Sequence, residues 1–143
     1  MQVRDVLASK GSSAVFTIRP DATVSDLLEA FAEHNIGALV VSVDGHTMLG
    51  VVSERDVVRK LRTVVDARSA TVDSIMSTDV HVCAPDDSFS SLMSVMTEHR
   101  VRHVPVLEDG DVVGVLSIGD AVKQRLSELE FERDQLNRYV AGG

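Results

Sequence analysis

The chain repeats itself. Residues 20–45 laid over 85–110 match at nine positions, and 50–56 laid over 114–120 match at four. Unrelated segments that merely share an order of elements do not agree this often, so the chain carries a duplicated unit of about 60 residues. Neither copy can bury much core alone, because small domains bury proportionately little of their surface. The two copies are therefore expected to pack together about a pseudo-twofold axis, with a symmetric pair of clefts between them.

Within each copy the same order of elements is legible. Ala14–Ile18 reads as a strand closed by Arg19-Pro20. Thr23 then caps a helix whose positions Val24, Leu27, Leu28, Phe31 and Ala32 share one apolar face. Asn35 and Gly37 end that helix. Ile36–Val43 and Met48–Val52 form two strands around an Asp44-Gly45 turn, and Ser53 opens a second helix reaching about Leu61. In the second copy Thr71–Met76 echoes the N-terminal turn Val3–Leu7. Val80–Cys83 is the first strand, and Ser88 caps a helix bearing Phe89, Leu92, Met93 and Met96. Val101–Leu107 and Val112–Leu116 flank Asp109-Gly110, and Ser117 opens the last helix. The expected class is α+β, two tandem β-α-β-β-α repeats with a C-terminal helix. The expected boundaries are residues 1–65, 66–125 and 126–143.

The point of chemical interest is where the last strand of each copy turns into a helix: Gly50-Val51-Val52-Ser53-Glu54-Arg55-Asp56, and again Gly114-Val115-Leu116-Ser117-Ile118-Gly119-Asp120. Amides at a helix start, a hydroxyl and a carboxylate converge there, which suits a phosphorylated, hydroxyl-bearing ligand. A carboxylate so placed can accept both hydroxyls of a ribose. The competing reading is a capping box, in which the serine bonds the N3 amide and the aspartate bonds back to the serine amide. Residue order alone admits both.

Composition narrows the functional classes. A net charge of −8 without a basic block, and 3% aromatic residues, argue against nucleic acid. No apolar run approaches the roughly 20 residues of a membrane span. Met1-Gln2-Val3-Arg4-Asp5 opens no signal-peptide pattern, and one cysteine, Cys83, allows neither an internal disulfide nor a cysteine-based zinc site. A cytoplasmic protein is expected. Cys83 has no His–Asn/Asp arrangement beside it, no metal-ligand spacing is present, and glycine-rich phosphate loops are missing, so no enzyme activity and no catalytic cofactor are expected. His34 and His99, at equivalent helix C-termini, read as packing and helix-dipole residues.

From Val122 to Val140 the chain has no strand signal and no proline. Val122, Leu126, Leu129, Leu136 and Val140 recur at spacings of four and three, with Arg133 in the one gap. This is a heptad-like seam on a long helix. It must lie either on the chain's own repeats or on another chain.

The duplicated set in its order resembles a pair of cystathionine-β-synthase (CBS) domains, the Bateman module. The residues that carry the likeness are His34–Val41 with Glu98–Val106, and Ser53–Val58 with Ser117–Val122. Small stand-alone bacterial proteins of this type are the nearest likeness. The resemblance implies a regulatory module that binds an adenosyl nucleotide such as AMP, ADP, ATP or NAD. It places Ser117 and Asp120 in one cleft with Ile36, Gly37 and the strand near Ser13 and Ala14. It places Ser53 and Asp56 in the other with Val101, Arg102 and the strand near Thr78 and Val80. Arg100, Arg102 and His103 replace Asn35, Gly37 and Ala38 of the first copy, and Arg55 faces Gly119 in the alignment. These differences fit either a solvated strand end or phosphate neutralisation in one cleft. The likeness also implies a homodimer signalling to an effector protein. A structural adaptor with vestigial clefts is the alternative, and a nucleotide-processing enzyme, for which no general base can be named, is the third.

Overall fold

The computed structural model describes residues 1–10 and 15–142. In chain order it has α1 (Val3–Ser9), β1 (Thr17–Ile18), α2 (Val24–His34), β2 (Ala38–Val41), β3 (Gly50–Ser53), α3 (Glu54–Leu61), a 3-10 turn (Val72–Ser74), α4 (Phe89–Glu98), β4 (His103–Glu108), β5 (Asp111–Ser117) and α5 (Ile118–Gly142). The α+β architecture of two repeats and a long C-terminal helix is as expected. Thr23 and Asp26 close a reciprocal capping box at α2, and Ser88 accepts the Ser91 amide at α4.

Each repeat has its own core. In the first, Val24, Leu27 and Phe31 of α2 pack on Leu39, Val41 and Val52 of the sheet. In the second, Phe89, Leu92 and Met96 pack on Val104, Val106 and Leu116. The leading turns are exchanged between the two. Val3 and Val6 of α1 are buried in the second core, while Val72 is buried in the first. Backbone bonds fix both exchanges in the same way: Val3 N–H to Asp87 O at 2.9 Å and Arg4 N–H to Pro85 O at 2.9 Å on one side, Val72 N–H to Ala22 O at 2.8 Å and Asp73 N–H to Pro20 O at 3.0 Å on the other. Burying a valine contributes about 1.5–3 kcal/mol, so each repeat depends on a segment that precedes the other.

The first sheet runs β1–β2–β3, parallel then antiparallel, with Ile18 opposite Val41 and Val40 opposite Val51. Among the described residues the second has only β4 and β5. The strand expected over Val80–Cys83 is reduced to a single parallel bridge, Cys83 to Val106, the counterpart of Ile18 to Val41. Pro105 is the cause. It stands where the first repeat has Val40, and it has no N–H to give the neighbouring strand. Its carbonyl still accepts the Cys83 amide at 3.0 Å. The strand expected from Ala14 is likewise shorter, beginning at Thr17; Ala14 lies outside the described residues.

Gly50 marks a close approach between the repeats. A Cβ there would lie 2.6 Å from the Ser77 carbonyl oxygen, in the middle of the two-way Val51–Ser77 backbone bridge. At the equivalent Gly114 the obstacle is Leu7 Cδ2, the end of a flexible side chain. Gly50→Ala is therefore expected to cost about 1–3 kcal/mol and Gly114→Ala less. Urea midpoints of the two variants decide this; equal losses would contradict it.

The hairpin tips of the two repeats also meet. His46 Nδ1 lies 2.9 Å from Asp111 Oδ1, and Val112 N–H donates to His46 O at 2.8 Å. The Asp111 hydrogen bond, then the Asp44 charge, raises the His46 pKa above its ordinary 6.5. A raised folded-state pKa means that the contact's full contribution is present below the unfolded pKa and fades as pH rises through the folded one. An NMR titration should place His46 above 6.5, with Asp111→Asn lowering it. A value at or below 6.5 in the native chain would remove this tie.

Candidate functional site

Two clefts lie between the repeats. The first, about 340 Å3, is walled by the β3–α3 junction with Ser53, Glu54, Arg55 and Asp56, by Ser77 and Asp79 to His81, and by His99 to His103. The second, about 420 Å3, is walled by Ser117 and Asp120 at the β5–α5 junction, by Lys10 and Phe16, and by Asn35 to Ala38. Both volumes fall in the range of small-molecule sites.

Each junction forms because an apolar strand ends at a serine whose extended backbone starts a helix. Ser53 N–H donates to Asp56 Oδ2 at 2.8 Å and Ser53 Oγ to the same oxygen at 3.1 Å. In the second copy Ser117 N–H donates to Asp120 Oδ2 at 2.9 Å, and Asp120 N–H donates to Ser117 Oγ at 3.1 Å. The capping reading is thus realised at both aspartates. It consumes only one carboxylate oxygen. Among the described residues Oδ1 of each aspartate has no hydrogen-bond donor, and an ionised carboxylate offers about four acceptor positions. Helix capping and hydroxyl binding are compatible at the same side chain. Asp56 is 9% exposed, so a ligand hydroxyl would meet a largely desolvated acceptor.

The two clefts differ in charge. Arg55 and Arg59, one turn apart on α3, line the first cleft with Arg100 and Arg102, against Glu54, Asp56 and Asp79. Arg100 holds a left-handed backbone, φ 53°, the position that Asn35 fills at the end of α2 with φ 54°. Asparagine tolerates that region; for arginine it stores about 1–3 kcal/mol of strain. In the second cleft the cation is Lys10. Its Nζ lies 3.0 Å from Asp120 Oδ2 and donates to Val115 O at 2.8 Å. Burial alone would raise the Asp120 pKa, but the Ser117 amide, Lys10 and the Ser117 hydroxyl outweigh it and hold the carboxyl below its ordinary value. His103 is pushed down chiefly by burial.

Ser53, Arg55, Asp56, Val80, Val101, Arg102 and His103 meet in the first cleft, and Ser117, Asp120, Ile36 and Gly37 in the second. Gly37 and His103 reach both. Thr78 does not line the first cleft; the Val51–Ser77 bridge sets the register so that Ser77, Asp79 and Val80 do. Gly119 does not line the second cleft. Ser13 and Ala14 lie outside the described residues. Sequence reasoning missed Lys10, Glu54, Arg59, Asp79 and His81. The spacing of Arg59 four residues after Arg55 was the available signal for one of them. His34 stacks on Phe16 with centroids 4.0 Å apart, and its counterpart His99 lies tilted against His81 at 4.4 Å. Burial pushes the Cys83 thiol up to about 11. Among the described residues no group of three His, Cys, Asp or Glu is placed to hold a metal, and no helix is long and apolar enough to cross a membrane.

Comparison with known proteins agrees with the duplicated fold. The family model described as the CBS domain matches residues 3–63 and 72–127. The chain is 36% identical, over 99% of its length and 72% of the relative's, to the mitochondrial CBS domain-containing protein CBSX3 of Arabidopsis thaliana. The crystal structure of the CBS-domain containing protein ATU1752 from Agrobacterium tumefaciens is 34% identical and superposes with a TM-score of 0.81, covering 87% of this chain and 99% of that one. The CBS domain pair of protein MJ0100, solved in complex with 5-methylthioadenosine and S-adenosyl-L-methionine, superposes with a TM-score of 0.77 at 20% identity, covering 90% of this chain and 98% of that one.

Proposed function

We propose that this chain, which belongs to the CBS-domain family, is a non-catalytic regulatory module that binds adenosyl nucleotides in its two clefts. The observation that carries the reading is the matched pair of serine–aspartate junctions, each with one carboxylate oxygen left over among the described residues and each facing a cleft of ligand size. The MJ0100 pair, with its adenosyl ligands, supports the ligand class. Aspartate takes the ribose hydroxyls, the helix-start amides and serine meet the phosphate, and adenine rests on the apolar wall. The arginines suit the first cleft to a polyphosphate such as ATP or to a dinucleotide such as NAD; Lys10 suits the second to a monophosphate such as AMP. Ligand acts by favouring one arrangement of the repeats over another. Output then passes to an effector protein or to the assembly state of a homodimer. The single, buried thiol fits a reducing compartment, and the cytoplasm is the one we assign.

The adaptor reading rests on the caps: an aspartate placed only to start a helix would look the same on its Oδ2 side. Charge discrimination separates the two. Arg102→Ala should weaken ATP and AMP far more than adenosine in calorimetric titrations, about tenfold for one lost charge-assisted bond. Equal losses for the three would leave Arg102 as a wall residue, and no binding of any of them would favour the adaptor.

A further inference from the structure

The two clefts share a wall. Among the described residues Gly37, Ala38 and His103 line both, and His103 alone of these can change charge. It begins β4, opposite Ser117 in the β4–β5 ladder, as Ala38 begins β2 opposite Ser53. Where the first repeat has a methyl group, the second has a half-buried imidazole between two sites. Building on the nucleotide reading above, we infer that His103 couples the clefts energetically: an anionic ligand in one cleft draws a proton onto His103, and the imidazolium then favours an anion in the other.

The surroundings set the direction. Burial pushes the free imidazole toward its neutral form. Asp120 on α5 and Glu54 on α3 favour the proton, whereas Arg102 just before β4 and Lys10 just after α1 oppose it. Asp79 and His81 line the first cleft with it. A ligand phosphate adds to the side of Asp120 and Glu54: an opposite charge within about 4–6 Å stabilises the charged form. Reciprocity follows, since whatever the first ligand does for the second, the second does for the first. The effect also has a window. Well above the liganded pKa His103 is neutral in every state, and well below the free pKa it is charged in every state. Coupling through the proton vanishes at both extremes and peaks between them.

The test uses AMP as the probe and the full-length chain. Single-cleft affinities come from Asp56→Ala and Asp120→Ala, two-cleft affinities from the native chain, each at pH 5.0, 7.0 and 8.5. The native chain should bind its second AMP about fivefold or more tighter than the single-cleft variants predict at pH 7.0. That excess should fall away at pH 8.5, and His103→Gln should abolish it at every pH. The glutamine variant also subtracts the titration of the AMP phosphate itself. Native-chain proton uptake on binding, read from calorimetry in buffers of differing ionisation heat, needs no variant. Two occupied clefts that bind independently, or coupling that His103→Gln keeps, would overturn this inference while leaving the nucleotide reading intact. Failure of AMP, ATP and adenosine alike to bind would overturn both.

Discussion

Asp56→Ala and Asp120→Ala should each weaken adenosyl-ligand binding about ten- to hundredfold at one cleft and spare the other. A hydrogen bond to a charged group is worth roughly 1.5–3 kcal/mol, and every 1.4 kcal/mol or so is tenfold in affinity. The two variants should not behave alike. Removing Asp120 strips Lys10 Nζ of its ion pair while leaving the Val115 carbonyl bond. The freed ammonium can then turn to a ligand phosphate, so Asp120→Ala should hurt adenosine more than AMP. Asp56 has no lysine partner, and its loss should fall more evenly on both. Each variant also loses a cap and about 1 kcal/mol of stability, so calorimetry is read on samples shown to be folded. A double variant that keeps native affinity for AMP, ATP, NAD and S-adenosylmethionine would end the ribose assignment.

The second large effect concerns α5. Its 25 residues span about 37 Å, and every described residue from Phe131 to Gly142 is exposed. The seam residues Leu126, Leu129, Leu136 and Val140 are 56%, 44%, 63% and 72% exposed. The seam therefore does not lie on the chain's own repeats, which leaves the other of the two arrangements open to it. A helix without tertiary packing is marginal in water at this length. A second copy is the partner we propose. In a parallel pair, heptad spacing brings Arg125 of one helix toward Glu130 of the other, while an antiparallel pair brings Glu130 to Glu130 and Glu132 to Glu132. Each buried leucine contributes about 1.5–3 kcal/mol. Full-length protein should sediment as a dimer at micromolar concentration, and deletion of residues 127–143 should shift it to monomer. A deletion variant that stays dimeric at nanomolar concentration would take the helix out of the interface. A monomeric full-length chain at high micromolar concentration, with or without nucleotide, would remove the dimer itself.

Local chemistry was legible in the sequence; long-range register was not. Thr23, Ser53, Ser88 and Ser117 announce helix starts because capping is settled within four residues. Asp109-Gly110 announces a turn because both residues need positive φ, and here they have 53° and 86°. The duplication itself announces the paired clefts. What escaped depends on contacts between distant segments. Lys10 reaches Asp120 only because α1 docks on the second repeat, 110 positions away in the chain. The choice of Ser77 and Asp79 over Thr78 follows from one backbone bridge to Val51. The missing strand beside β4 was readable in principle from Pro105, since a proline facing a neighbouring strand withholds a donor. Its effect depends on which edge the proline presents, and only the register fixes that.

A structure of the chain crystallised with AMP would show whether the two aspartates hold ribose. Nucleotide should lie between the repeats, with ribose hydroxyls within hydrogen-bond distance of Asp56 Oδ1, Asp120 Oδ1 or both, while each Oδ2 keeps its serine amide. Nucleotide seated away from both junctions, or clefts that stay empty at saturating AMP, would contradict it.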